Sequence, residues 1–206
     1  MDRLFGRPRI TDEQKRRLPP GQYLTEKWPV LHYGSVPRVD LATWDFKVWG
    51  EVGQPIDLSW EQFQALPRKT VHTDIHCVTR WTKLDTDFEG VAPRTVLDLV
   101  RPTSSARFVV AHCEQGYTTN LPLDALLDDD VLLADTYAGE PLEPEHGYPL
   151  RLMVPKRYFW KSAKWIRGLQ LLDHDVPGFW ERYGYHNEGG PWLEERFSEE
   201  GRQERA

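Results

Sequence analysis

The 206-residue chain is poor in several things that define whole classes of protein. Cysteine is scarce: Cys77 and Cys113 are the only two, too few for the disulfide framework of a small secreted scaffold, and a reducing, cytoplasmic setting is expected. Long apolar runs are missing, since none approaches the roughly 18 residues that a membrane span needs. Positive charge is in deficit. Lys and Arg number 26 against 32 Asp and Glu, a formal charge of −6, which argues against a nucleic-acid-binding domain. No Gly-rich loop of the Rossmann or P-loop kind is present, so a nucleotide held in either way is not expected. Lys15-Arg16-Arg17 leads into Leu18-Pro19-Pro20-Gly21 rather than an apolar stretch, so no secretory leader is expected there.

Aromatic residues, by contrast, are plentiful. Nine Trp, eight Tyr and eight Phe make up 12% of the chain, enough to bury a sizeable core and to exclude disorder throughout. The length suits one domain with extensions. Strand-like alternation predicts strands over Thr43–Trp49, Arg107–His112, Leu150–Val154 and Trp165–Leu172, with a β-type run over Thr70–Ile75 leading to Cys77. Short helices are predicted from Ser59 (a capping-box spacing with Gln62), over Thr95–Val100 and over Leu123–Leu127. Sixteen prolines and fifteen glycines break the remainder into loops. The fold class is α+β with strands dominant. Residues 1–28 read as a solvated arm, 29–172 as the main domain, and 173–206 as a partly docked C-terminal extension.

Chemistry concentrates in a few segments. Cys77 stands near a strand end, ahead of a polar, basic loop and close to His72, His76, Arg80 and Lys83; such charges favour the thiolate that a soft metal or a nucleophilic mechanism requires. Inert packing is the competing explanation for a free cysteine. The pairs His76-Cys77 and His112-Cys113 put neighbours on opposite strand faces, and no C-x-x-C or H-x-x-x-H spacing supports zinc. From Arg151 to Lys164 there are five bases (Arg151, Lys156, Arg157, Lys161, Lys164) and no acid, interleaved with Tyr158-Phe159-Trp160. Bases over an aromatic loop suit a phosphate or another anion.

In order along the chain, Leu31-His32-Tyr33-Gly34, the Cys77 segment Asp74–Trp81, His146-Gly147-Tyr148-Pro149-Leu150-Arg151 and Lys161-Ser162-Ala163-Lys164-Trp165 resemble the molybdenum-cofactor domain of the sulfite oxidase family. The likeness is strongest to its small stand-alone prokaryotic members and to the catalytic subunit of bacterial methionine-sulfoxide reductase. It implies a sulfite-oxidase-like fold binding molybdenum through molybdopterin, with Cys77 as the protein's metal ligand. It also implies that His32, Tyr33, Cys113, His146, Arg151, Ser162, Ala163 and Lys164 contact the pterin and its phosphate. Arg80, Asp135, Tyr137 and Trp81 are the candidates for the substrate mouth. The implied reaction is two-electron oxygen-atom transfer on a small molecule, sulfite or sulfoxide-like, with a separate haem or flavin protein exchanging electrons. Leu133-Ala134 is followed here by Asp135, with Tyr137 two residues later, where sulfite oxidases place an active-site tyrosine in a Leu-Ala-Tyr-Glu context; a carboxylate there weakens the case for an anionic substrate. A cofactor-free binding module and a zinc or thiol hydrolase are the competing readings, and self-association through Phe179-Trp180 and Trp192 is open.

Overall fold

A computed structural model describes residues 10–203. Its strands are β1 (Tyr23–Leu24), β2 (Asp45–Gly50), β3 (Ile56–Ser59), β4 (Arg68–His76), β5 (Trp81–Val91), β6 (Phe108–Cys113), β7 (Thr118–Pro122), β8 (Leu132–Tyr137), β9 (Glu140–Pro141), β10 (Arg151–Met153) and β11 (Ile166–Leu172). Helices are short: α1 (Asp12–Arg16), α2 (Trp60–Gln64), α3 (Pro93–Val100), α4 (Leu123–Leu126), α5 (Phe179–Arg182) and α6 (Glu199–Gln203). None is long and apolar enough to cross a membrane among the described residues.

The strands form two sheets. One runs β3-β2-β11-β6-β7; the other runs β1-β5-β8-β10, with β4 added along β5 and β9 along β8. In the first sheet β2 lies parallel to β11 and antiparallel to β3, and Gly50 ends β2 at φ +97, where a Cβ would meet the Leu171 carbonyl oxygen. Only glycine fits that approach. Between the sheets lies the larger apolar core, where Phe46, Val48, Leu169 and Leu171 meet Leu133, Leu152 and Val154. The intervening residues Leu132, Ala134 and Met153 point the other way, into a second core with Val71, Ile75, Trp81 and Phe88. That alternation is the two-residue period of strands buried on both faces.

Several expectations meet their elements directly. Strands stand at 45–50, 108–113, 151–153 and 166–172, and Ser59 and Gln62 exchange both capping-box hydrogen bonds at the start of α2. Other elements differ. The polar, basic loop expected after Cys77 shrinks to a tight turn, because the chain enters the eleven-residue β5 at Trp81. Asp85, Asp87 and Glu89 occupy its more exposed positions and hide the apolar alternation from a reading of the sequence. The arm, too, is partly docked. Arg17 forks onto Asp74 and reaches Asp85, and β1 pairs in parallel with the start of β5.

Candidate active site

One cavity of about 380 Å³ opens where the second core, the turn after β4 and the loops around β10 converge. Cys77 stands at one part of its wall, on the first residue beyond β4. Its amide donates to the Trp81 carbonyl at 2.9 Å, and its carbonyl accepts from Arg80 N at 2.9 Å, closing the turn. The sulfur accepts a hydrogen bond from the Thr79 hydroxyl at 3.1 Å. Only 7% of the residue is exposed, and burial pushes its thiol above the ordinary range, against the pull of Thr79 and of the Arg196 charge. The proton therefore stays on sulfur until something displaces it, as a thiophilic metal does.

Elsewhere the wall is cationic. Arg151 begins β10 and is fully buried; it donates Nη1 to the His146 carbonyl at 2.7 Å and Nη2 to the Ser162 carbonyl at 2.8 Å. Among the described residues its Nε has no partner and no carboxylate stands within salt-bridge reach, and the guanidinium lies 4.4 Å from the Phe159 ring centre. Burial pulls its proton affinity down. Lys164 is half-buried, its Nζ donating to the Glu145 carbonyl at 2.7 Å and lying 4.9 Å from the Trp165 ring centre. Burial, aided by the Arg151 charge, lowers its pKa to about 7. Gly147 sits between the two bases at φ +115, where a Cβ would lie 3.0 Å from Arg151 Cβ and 3.3 Å from Lys164 Cβ.

The segments around them complete the wall. Ser162 accepts from Val154 N at 2.9 Å and the Ala163 carbonyl accepts from Leu152 N at 2.8 Å, tying the Lys161–Lys164 loop to the β10 strand. His146, in the helical turn Pro144–His146, stacks on Trp28 with ring centres 4.0 Å apart; burial lowers its pKa. His32 and Tyr33 lie on an exposed stretch over the opening, His32 with its ring centre 5.8 Å from that of Trp165 and Tyr33 at 4.8 Å from that of Phe179.

Of the residues singled out from sequence, the cavity brings together His32, Tyr33, Cys77, His146, Arg151, Ser162, Ala163 and Lys164, with Trp81 beside them. Four do not line it. Asp135 is buried in β8 behind the wall, where Arg68 forks onto both its oxygens and Gln64 adds a hydrogen bond at 2.6 Å, so it is spoken for structurally. Tyr137 is one layer back, edge-on to Trp28 at 4.5 Å. Arg80 is exposed, turns the chain at φ +76 and is not part of the cavity wall. Cys113 ends β6 inside the larger core, its thiol pushed far up by burial, while its neighbours Glu114 and Gln115 line the wall.

The two cysteines thus belong to different cores, and among the described residues no three His, Cys, Asp or Glu side chains gather as a metal group. The five-base run divides as well. Lys156 pairs with Asp128 and Arg157 with Glu188, both at 3.1 Å, while Lys161 is sealed against Glu181 at 2.6 Å. Aromatic lining was the part least visible in sequence: Trp28, Tyr117, Phe179 and Trp180 all contribute. Phe179 and Trp180, expected as a possible self-association patch, are cavity wall.

Comparison with known proteins adds four findings. The family profile described as "Oxidoreductase molybdopterin binding domain" matches residues 33–180. The "Uncharacterized oxidoreductase YuiH" of Bacillus subtilis is 48% identical over 94% of this chain and 98% of its own length. The "Putative protein-methionine-sulfoxide reductase subunit YedZ1" of Azospira oryzae is 29% identical over 83% of this chain and 66% of its own. Among solved structures, the sulfane dehydrogenase SoxCD of Paracoccus pantotrophus superposes with a TM-score of 0.66 at 22% identity, over 74% of this chain and 43% of that one, a likeness of fold.

Proposed function

This chain belongs to the oxidoreductase molybdopterin-binding family, the sulfite oxidase group, and from that premise we propose that it transfers an oxygen atom to or from a small, uncharged S-oxide-type substrate. As a member it is a molybdenum-dependent oxidoreductase with molybdopterin as cofactor. The observation that carries the reading is the division of the cavity wall, with a single thiol in one part and two bases without acid partners in another. A lone sulfur suits a metal whose remaining donors come from the cofactor. An unpaired buried guanidinium with a free Nε suits the cofactor's phosphate, which the protein itself does not replace with a carboxylate.

On this reading Cys77 would be the protein's ligand to molybdenum, through the deprotonated sulfur, and the Thr79 hydroxyl would hold that sulfur's orientation. Arg151 and Lys164 grip the anionic tail, with Ser162 and Ala163 closing the loop around it. His146 and His32 border the pterin. When bound, the cofactor supplies the two-electron redox chemistry. The chain's own contribution is to orient it and to shape an aromatic approach. That approach favours an uncharged substrate, because Arg80 does not line the cavity whereas the rings of Trp28, Phe159 and Trp160 do. Electrons pass to or from a separate haem or flavin protein, consistent with a relative whose name makes it a subunit.

The test is direct. Protein from a host that makes the cofactor should carry molybdenum and pterin near one equivalent each, lose both or all turnover in Cys77→Ala, and reduce sulfoxides in preference to oxidising sulfite. Absence of both metal and pterin from such material would sink the reading.

A further inference from the structure

The turn that presents Cys77 is held from outside the family-matched stretch. Two of its carbonyls accept side-chain donors from opposite ends of the chain. Gln22, one residue before β1, donates Nε2 to the Cys77 carbonyl at 3.1 Å. Arg196, between α5 and α6, donates Nη1 to the Val78 carbonyl. Neither falls within residues 33–180.

Arg196 carries more than a hydrogen bond. It is 8% exposed, and its guanidinium lies 4.9 Å from the centre of the Tyr158 ring. Among the described residues the one carboxylate within salt-bridge reach is that of Glu194, at 4.0 Å, on a half-exposed side chain. It does not line the cavity, so it is not placed to grip a substrate. Its field nonetheless reaches the Cys77 sulfur and favours the thiolate. A cation buried this far is weakly screened by salt. Groups just beyond a metal's ligands orient those ligands and tune the metal.

We propose that Arg196 is a positioning residue for the metal site, fixing the Cys77 turn through the Val78 carbonyl and biasing the centre held by that sulfur toward its electron-richer state. The inference rests on the molybdopterin reading, because it presumes a metal on Cys77. Removing a nearby positive charge disfavours the reduced form, so the midpoint potential falls. Removing the Glu194 charge leaves the guanidinium less opposed, so the potential rises.

The full-length, cofactor-loaded protein serves for the test, with molybdenum content measured beside the one-electron midpoint followed by EPR. Arg196→Gln is expected to keep its molybdenum while the reduced fraction at a fixed potential drops at least threefold. Arg196→Lys, which keeps the charge, is expected to recover most of the loss, and Glu194→Gln to move the potential the other way by less. An Arg196→Gln protein with native metal content and native potential overturns the proposal. Should that variant fail to fold or to hold metal, Glu194→Gln decides, and an unmoved potential overturns it. A wild-type protein without molybdenum overturns the underlying reading instead, which metal analysis separates at once from a failure of the tuning.

Discussion

Arg151→Met separates a residue kept for the fold from one kept for a ligand. The methionine matches the length and apolar volume of the arginine stem but carries no charge. In the cofactor-free protein the change removes two charge-assisted hydrogen bonds, to the His146 and Ser162 carbonyls, worth about 1.5–3 kcal/mol each. Against that loss stands the release of a fully buried cation with no acid partner and an unbonded Nε, a penalty of several kcal/mol even after relaxation. The two nearly cancel, so Arg151→Met should unfold within about 2 kcal/mol of the wild type when both are made in a host lacking the cofactor. Made in a host that supplies it, the variant should lose most of its pterin during purification, where the wild type keeps it. The assay is paired denaturant unfolding of empty protein and pterin quantification of loaded protein. An empty variant destabilised by about 4 kcal/mol or more, or a loaded variant that retains its pterin, refutes the argument that Arg151 waits for an anion.

Four further outcomes follow from the same geometry. Lys164, with a pKa of about 7 in the folded cofactor-free protein against 10.5 unfolded, is neutral in the native state but protonated in the unfolded state between those values, so it contributes a rise in stability from pH 7 towards 10.5, and pH-dependent unfolding of Lys164→Met should show that slope reduced. Affinity of the empty protein for a phosphate-type anion should weaken over the same rise, as the ammonium is lost. Gly147→Ala should cost about 1–3 kcal/mol and impair cofactor retention, because it combines positive φ with crowding of Arg151 and Lys164, whereas Gly139→Ala, at φ +82 with open space around it, should cost only about 1 kcal/mol and spare retention. Asp135→Ala should destabilise by about 1–3 kcal/mol, because it removes a forked ion pair while the part-exposed Arg68 keeps Glu89, yet leave cofactor content per folded protein unchanged, as measured by unfolding and metal analysis.

How much of this was legible in the sequence depended on whether a signal was local. Ser59 and Gln62 announce α2 because a capping box is complete within four residues. β6 and β11 are legible because their apolar residues run nearly unbroken, as central strands do. β5, the longest strand, was not, because its charges sit at exposed positions between buried ones. The cavity residues carried in motifs, Cys77, Arg151 and Lys164, could be named because their segments, in that order, resemble a known family. Asp135 looked available for the same reason it is not: its partner Arg68 is 67 residues away, and nothing local marks the pair. Phe179 and Trp180 reached the wall only through packing of the C-terminal segment, with no spacing to signal it.

The basic run from Arg151 to Lys164 shows why charge clusters cannot be assigned by counting. Lys161, Arg151 and Lys164 stand within fourteen residues, and all lose solvent on folding. For Lys161 the protein supplies an answer in full: Glu181 at 2.6 Å, with the Asn120 carbonyl and side-chain oxygen at 2.8 and 3.1 Å. For Arg151 and Lys164 the described residues supply backbone carbonyls and aromatic faces but no carboxylate within salt-bridge reach. Carbonyl dipoles and rings ease a buried cation without neutralising it, so both sites stay short of one negative charge that the chain could have provided, as it did a few residues away. A fold that needed those bases only for packing would be more stable with apolar side chains in their place. The deficit is therefore a property of the empty cavity, and it disappears when an anion of the right reach occupies it.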